Sequence, residues 1–252
     1  MTFSNDTIDE IATTAKALGI EAAALLAIAE VESGGKAFAL VGGRREPLIR
    51  FEGHYFDRRL SAQKRQKARA QGLASPTAGA VANPRTQAAR WRLLARAASI
   101  DHQAAHESVS WGIAQVMGAH WQWLGYADID ALVAEARSGI GGQIRLMARY
   151  IEKSGLSAAI RKHDWEALAR GYNGPAYKRN SYDTRIAAAY EKYRGASAGD
   201  GIDKPASPDM STDRPTIAKP IAGQARPGGS GKNPTTIWQR ILSRLASLFG
   251  RR

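Results

Sequence analysis

Residues 196–233 read ASAGDGIDKPASPDMSTDRPTIAKPIAGQARPGGSGKN, rich in Pro, Gly, Ser and Asp and without an aromatic side chain. Such text buries too little apolar surface to offset the entropy of ordering it. Whatever folds in this 252-residue chain must therefore fold on either side of it. The stretch reads as a disordered linker between a domain of residues 1–195 and a tail of residues 234–252. The first piece is of ordinary size for one well-buried domain. Charge divides with the same boundaries: 27 basic against 19 acidic groups in residues 1–195 (+8), 5 against 4 in the linker (+1), and 4 against none in the tail (+4), for the chain's +13. A basic balance of this size points to an anionic partner, whether nucleic acid, cell-wall polymer or membrane surface.

The first 195 residues carry alanine-rich runs at helical period and no period-two pattern longer than a few residues. They predict an all-α, or α-dominated, domain. Candidate helices are 5–18, 21–33, 50–60, 84–98, 104–117, 129–136, 138–153, 156–162, 165–172 and 182–194, with loops at 34–47, 72–83 and 173–180. Cysteine is absent, which removes disulfides, thiolate nucleophiles and Cys-based metal sites. No apolar run is long enough to span a bilayer as a helix, and the start MTFSNDTIDE lacks the basic and apolar regions of a secretory signal.

The second helix, EAAALLAIAEVESGG, holds two acids that point about 200° apart at 100° per residue. Leu25, Leu26, Ile28 and Val31 place the centre of the apolar face roughly 20° from Glu32 and nearly opposite Glu30. A carboxyl on the core side, next to the Gly34-Gly35 stop, would be partly desolvated at a cleft edge, and desolvation raises its pKa toward what a general acid needs. The alternative is an exposed last-turn residue. Three further segments combine glycine, aromatic and amide side chains: PLIRFEGHYF (47–56), SWGIAQVMG (110–118) and GYNGPAYKRNSYD (171–183). Trp and Tyr offer faces to a sugar ring, and Gln and Asn can fix hydroxyl or amide groups. Each also has a plainer reading: Trp111 as a core anchor, Gln115 as a helix-surface amide, Tyr172 and Asn173 as a helix terminus.

Taken in order, EVESGG, FEGHYF, SWGIAQVMG and YNGP followed by NSYD resemble the N-acetylmuramidase domain of phage and prophage endolysins, over roughly residues 4–194. The resemblance implies a lysozyme-like helical fold. It also implies cleavage of the β-1,4 bond between N-acetylmuramic acid and N-acetylglucosamine in peptidoglycan, with Glu32 as catalytic acid. For the second catalytic group the best candidate is Glu52, in the FEGHYF motif, with a structural carboxylate paired to Arg50 as the alternative. His54, Ser110, Trp111, Gln115, Tyr172 and Asn173 are the candidate substrate-binding residues. One departure from the family's text is the stretch 58–96, with ten basic residues and no acid, which reads either as a solvated face or as a polyanion-facing lobe.

A lytic transglycosylase, which breaks the same bond by attack of the muramic 6-hydroxyl, is the nearest alternative. A basic nucleic-acid-binding protein is the alternative of another class, opposed by the absence of any nucleic-acid motif and by the concentration of charge in the tail. His102 and His106 stand four apart but lack the Glu that the zincin pattern places after the first His. No metal and no cofactor are expected, and the catalytic unit is expected to be a monomer. In the tail, Ile237, Trp238, Ile241, Leu242, Leu245, Leu248 and Phe249 recur at helical spacing opposite Arg240 and Arg244. A helix about 24 Å long of this kind lies in a membrane interface rather than crossing it. Trp238, Arg240, Arg244 and Phe249 are its candidate contacts to anionic lipid or lipopolysaccharide, with docking on the domain or on a partner as alternatives. By resemblance, the chain accumulates in the host cytoplasm and reaches the wall after release by a holin.

Overall fold

The computed structural model describes residues 3–174 and 177–199. The linker and the tail helix expected from the sequence lie, from residue 200 on, outside the described residues. In chain order the helices are α1 (Asn5–Ala17), α2 (Ala22–Ser33), α3 (Gly53–Arg59), α4 (Ala62–Ala70), α5 (Gln87–Ala98), α6 (His102–Glu107), α7 (Ile129–Arg137), α8 (Ile140–Lys153), α9 (Ser157–Arg161), α10 (Trp165–Asn173) and α11 (Tyr182–Gly199). The strands are β1 (Phe38–Val41), β2 (Arg44–Pro47), β3 (Ile49–Phe51), β4 (Val109–Trp111) and β5 (Val116–Met117). The α-dominated class expected from the sequence is what the chain adopts. The polar cap residues Ser61, Thr86, Asp101, Asp128 and Asp164 each accept a backbone N–H of the first turn of their helix, satisfying a donor that has no partner inside the helix.

The core is organised around α2. Its residues from Ala23 through Ala29, and Val31, are all buried, so it is apolar on every side and must be enclosed. Helices α1 and α11 pack against it, while α8 closes the other side of α1 and α7 covers α8. Glu30 and Glu32 leave this helix in different directions, as their spacing requires. Glu30 pairs with Lys192 Nζ at 2.8 Å and accepts from the Tyr193 hydroxyl, both on α11. Glu32 faces α10.

Two small antiparallel sheets correct the all-helical reading in detail. The 34–47 loop contains a hairpin, β1 with β2, turned at Gly42 and Gly43 with φ of 56° and 79°, a twist that suits tight hairpins. The candidate helix 50–60 begins only at Gly53, because β3 occupies its first residues. The candidate helix 104–117 ends at Glu107 and gives way to β4 and β5, which complete a sheet of order β3-β4-β5. Gly112 at φ 68° and Gln115 at φ 50° make the turn between them, a backbone no helix accommodates. The last helix runs past the expected 182–194 to Gly199, into the stretch read as linker; alanines there extend it.

The basic stretch 58–96 is largely consumed by the scaffold. Arg69 makes a bidentate pair with buried Asp57 at 2.6 and 2.8 Å, and its hydrogen bonds hold that carboxyl below the usual range. Arg65 donates to the carbonyls of Asp57 and Leu60, both at 2.7 Å. These contacts fasten α4, a helix the sequence reading did not assign, whose text AQKRQKARA offers almost no apolar face. Arg59 pairs with Glu107 and Arg96 donates to the Gln71 carbonyl. The outer edge of β3 is sealed by side chains: Asn83 both accepts from the Phe51 N–H (2.9 Å) and donates to the Phe51 carbonyl (2.7 Å), Gln87 accepts from the Ile49 N–H, and Arg90 donates to the Ile49 carbonyl. An exposed strand edge invites pairing with another chain, and this one is closed.

Gly142 sits where α8 meets the end of α7. A Cβ there would lie 2.1 Å from the Glu135 carbonyl oxygen and 2.2 Å from Ser138 Oγ. Gly142→Ala is expected to destabilise by about 1–3 kcal/mol, as overpacked interiors do. Gly195→Ala, on a helix and with nothing within 4 Å of the new atom, is expected to be neutral or to stabilise by up to ~1 kcal/mol. Thermal unfolding of the two variants checks both signs.

Candidate active site

The site is assembled where α2 stops. Ser33 Oγ donates to the Ala29 carbonyl at 2.7 Å and accepts from the Gly35 N–H at 3.1 Å, while Gly34 turns left-handed at φ 64°. The tetrad Val31-Glu32-Ser33-Gly34 thus divides its labour: Val31 is buried, Ser33 and Gly34 end the helix, and Glu32 is left half-buried at the terminus. The facing group is Asn173 at the end of α10, whose Nδ2 donates to Glu32 Oε1 at 2.7 Å. Asn173 is itself buried, and its Oδ1 has no partner among the described residues.

Desolvation dominates the electrostatics of Glu32 and raises its pKa to about 7; the Asn173 hydrogen bond and the Arg185 cation oppose it. Arg185 is on the first turns of α11, over the ring of Tyr182 at 5.4 Å. A carboxyl poised near neutrality holds its proton for transfer in a substantial fraction of molecules at physiological pH.

The turn between β4 and β5, residues 112–115, reaches the same place and is clamped from two helices. Tyr172 on α10 donates its hydroxyl to the Ala114 carbonyl at 3.1 Å. Gln143 on α8 accepts from the Ile113 N–H at 2.7 Å and donates to the Ala37 carbonyl at 3.4 Å. A Cβ on Gly112 would come within 2.8 Å of Gln143 Oε1, so glycine is required there for space as well as for its φ of 68°. Gln115 is half-buried, holds φ 50° and donates its Nε2 to the Gly112 carbonyl at 2.7 Å. Positive φ in a non-glycine residue is costly and concentrates at functional sites.

Of the expected site residues, the structure places Asn173 and Tyr172 beside Glu32, with Gln115 on the turn that Tyr172 holds. It takes others away. Trp111 has no exposed surface: its Nε1 donates to the His106 carbonyl at 3.2 Å and its ring stacks on His106 at 5.9 Å. A ring closed in on both sides has no face for a sugar, so Trp111 is a core anchor. Ser110 is fully buried with its hydroxyl against Met117 Sδ at 3.1 Å. Its side chain serves the sheet, not a ligand.

Glu52 and His54 sit apart from the Glu32 carboxyl in their contacts. Glu52 is 4% exposed, forms an ion pair with Arg50 Nε at 2.8 Å, and has His54 Nδ1 3.5 Å from its other oxygen. Burial raises its pKa and Arg50 opposes the rise. The charge that acts on Glu32 is Arg185; the charge beside Glu52 is Arg50. The Arg50 ion pair is the contact expected of the structural alternative. His54, also buried, meets Tyr55 edge-on at 4.9 Å. His102 pairs with Asp130 at 2.7 Å and His106 bonds the His102 carbonyl, and no cluster fit for a metal ion occurs among the described residues.

Arg185, Tyr182 and Gln143 were not among the expected site residues. Gln143 left a readable signal, as the one amide on a face of α8 otherwise lined by Ile140, Ile144, Met147 and Ile151. Arg185 left none, because its proximity to Glu32 arises only when α11 packs on α2.

A family model for N-acetylmuramidase matches residues 21–194. The chain is similar to the crystal structure of an endolysin from the Burkholderia phage AP3, at 33% identity and a TM-score of 0.64, over 75% of this chain and 71% of that one. No curated protein matches it.

Three outcomes follow from the balance at Glu32. Glu32→Gln keeps the acceptor for Asn173 and removes the titrating proton, so lysis of purified peptidoglycan should vanish with the fold intact. Because the folded pKa is raised above the unfolded value, the wild-type carboxyl loses stability as pH rises toward and through about 7; at pH 8 Glu32→Gln should be the more stable protein, by up to about 3 kcal/mol. Asn173→Ala and Arg185→Ala each remove a group that favours the charged form, so the alkaline limb of the pH–rate profile should move to higher pH in both. Residual activity in the first variant, or a limb moving down in the others, contradicts the assignment.

Proposed function

The chain belongs to the N-acetylmuramidase family, a group of lysozyme-type glycoside hydrolases acting on peptidoglycan, and from that premise we propose that Glu32 is the general acid of a phage-type endolysin. Its bond is the β-1,4 linkage between N-acetylmuramic acid and N-acetylglucosamine. The observation that carries this reading is the half-buried carboxyl of Glu32, held at 2.7 Å by a buried amide and raised to about 7. Protonation of the glycosidic oxygen by Glu32 lets the bond break with oxocarbenium character at the muramic carbon, and water then completes hydrolysis.

The rest of the site supports positioning. Asn173 gives its Nδ2 to the acid at 2.7 Å and so fixes the direction in which Glu32 presents its proton. Gln115 and the clamped turn 112–115 form the adjoining wall. Glu52 is paired with Arg50 and orders the FEGHYF segment, so in this reading the second step relies on water and not on a second carboxylate nucleophile. The basic stretch 58–96, with Arg59, Arg65, Arg69, Arg90 and Arg96 bound to carboxylates and carbonyls, supports a muramidase over a nucleic-acid-binding protein.

The catalytic unit acts as a monomer tethered by residues 200–233 to the cationic amphipathic segment 234–252. We assign that segment, through Trp238, Arg240, Arg244 and Phe249, to anionic lipid or lipopolysaccharide. No helix among the described residues is long and apolar enough to cross a membrane. Access to the wall then depends on release by a holin-type pore or on the tail's own disordering of the bilayer.

Mass spectrometry of the muropeptides released from purified peptidoglycan separates the two chemistries. Hydrated reducing ends are expected, and 1,6-anhydro ends would replace hydrolysis by transglycosylation. Deleting residues 234–252 should leave activity on purified wall unchanged and weaken permeabilisation of intact Gram-negative cells; equal potency with and without the tail removes it from that role.

A further inference from the structure

Trp123 stands out among the large apolar side chains. Three of these are exposed among the described residues, Leu18, Leu40 and Trp123, and only the last is aromatic, at 44% exposure. Its exposure is built rather than incidental. The turn that carries it is closed by backbone hydrogen bonds from Trp121 to Gly118, Leu124 to His120, Gly125 to Gln122 and Tyr126 to Trp121. Its neighbours are turned the other way: Leu124 is buried, and Trp121 packs on the core and donates its Nε1 to Glu107 at 2.9 Å.

The Trp123 ring meets His120 at 5.6 Å and Tyr150 at 5.8 Å, with interplanar angles of 62° and 77°. Neither neighbour lies parallel to it, so the contacts fix its orientation without capping it as a stacked ring would. The line continues inward. Tyr150 meets Tyr172 at 5.2 Å, Tyr172 pins the turn 112–115, and the next residue, Asn173, holds Glu32. Burial keeps His120 uncharged, with its pKa down to about 4, so this aromatic wall is apolar-faced and neutral. Tyr55 stands close enough to Tyr150 for their ionisations to be coupled, and its buried hydroxyl has no hydrogen-bond partner among the described residues.

We propose that Trp123, braced by His120 and Tyr150, is the stacking platform of a glycan subsite continuous with Glu32, and that it holds an N-acetylated sugar ring of the strand being cut. An indole face presents its electron-rich surface to the axial C–H groups of a pyranose, and the acetamido methyl adds apolar contact. The inference rests on the muramidase reading and deepens it. It also gives a function to the segment WQWLGY, which none of the recognisable motifs includes.

The test uses the full chain carrying Glu32→Gln, so that binding is measured without turnover, and chitohexaose as the probe. Saturable quenching of tryptophan fluorescence is expected. Adding Trp123→Ala should weaken that binding by about ten-fold and remove most of the quench, Trp123→Phe should restore part of the affinity, and Leu40→Ala, an exposed apolar control, should change nothing. In the active chain, Trp123→Ala should raise KM for peptidoglycan far more than it lowers kcat. Thermal unfolding reports whether Trp123→Ala is folded, and Trp123→Leu, which keeps apolar volume but no ring, decides the matter where it is not. Equal affinity and KM in a folded ring-less variant, or no saturable binding by Glu32→Gln, overturns the platform. If the Glu32→Gln chain still lyses peptidoglycan, the catalytic assignment falls instead, which keeps the two failures distinguishable.

Discussion

The burial of one helix on nearly every side governs this structure. Because α2 is apolar around nearly its whole circumference, it has to be wrapped, and the packing of α1 and α11 on it leaves its C-terminal end as the place where chain and solvent meet. Glu32 is on that last turn. The same enclosure that makes α2 a stable core element takes water away from the carboxyl and moves its pKa to about 7. Core and chemistry are therefore not separate achievements of the sequence: the desolvation that Glu32 suffers is the edge of the hydrophobic interior. What the fold adds is a limited remedy, one amide and one guanidinium, enough to keep the carboxyl in the site and not enough to keep it fully ionised near neutrality.

Around that end, position is imposed by buried polar side chains in pairs. Gln143 and Tyr172 come from helices on different sides and close on one turn, 112–115. Each uses a group that would be expensive to bury unsatisfied, so the turn has little freedom to slip without breaking one of them. Glu52 and Arg50 do the corresponding service for the start of α3. Their burial together argues for a scaffold pair, since separating them would leave a charge in a medium that solvates it poorly.

Much of this was legible beforehand where periodicity was strong. The amphipathic or apolar runs that became α1, α2, α8 and α10 carry the helical repeat in plain form, and the opposed directions of Glu30 and Glu32 follow from spacing alone. The reading failed where a few residues switch conformation. Val109-Ser110-Trp111-Gly112 lies in text that is helical by composition, yet pairing with β3 decides it, and β3 is far away in sequence. The same pairing buries Ser110 and Trp111, which looked like binding residues because glycine, serine and tryptophan together suit a site as well as a sheet. Helix α4 escaped notice for the opposite reason: it has no apolar stripe to see and is held by guanidinium groups on the carbonyls and carboxylate of the preceding helix. Trp123 could not be told from Trp121 by sequence, since which indole turns inward depends on the Glu107 acceptor that folding brings to it.

The arginines of the 58–96 stretch carry one more implication, for anyone wishing to retune this protein's charge. A guanidinium that spans two acceptors at fixed angles cannot be exchanged for an ammonium, which has the same charge but no planar fork. Arg65, Arg69 and Arg90 are such spans. Blanket replacement of surface arginine by lysine, an electrically silent edit, would unfasten α4 and uncover the rim of β3, whereas charge is removed at least structural cost from side chains that hold neither a carboxylate nor a carbonyl. In this domain the positive charges that build and those that are free to attract are different residues, and only the latter are available as a dial.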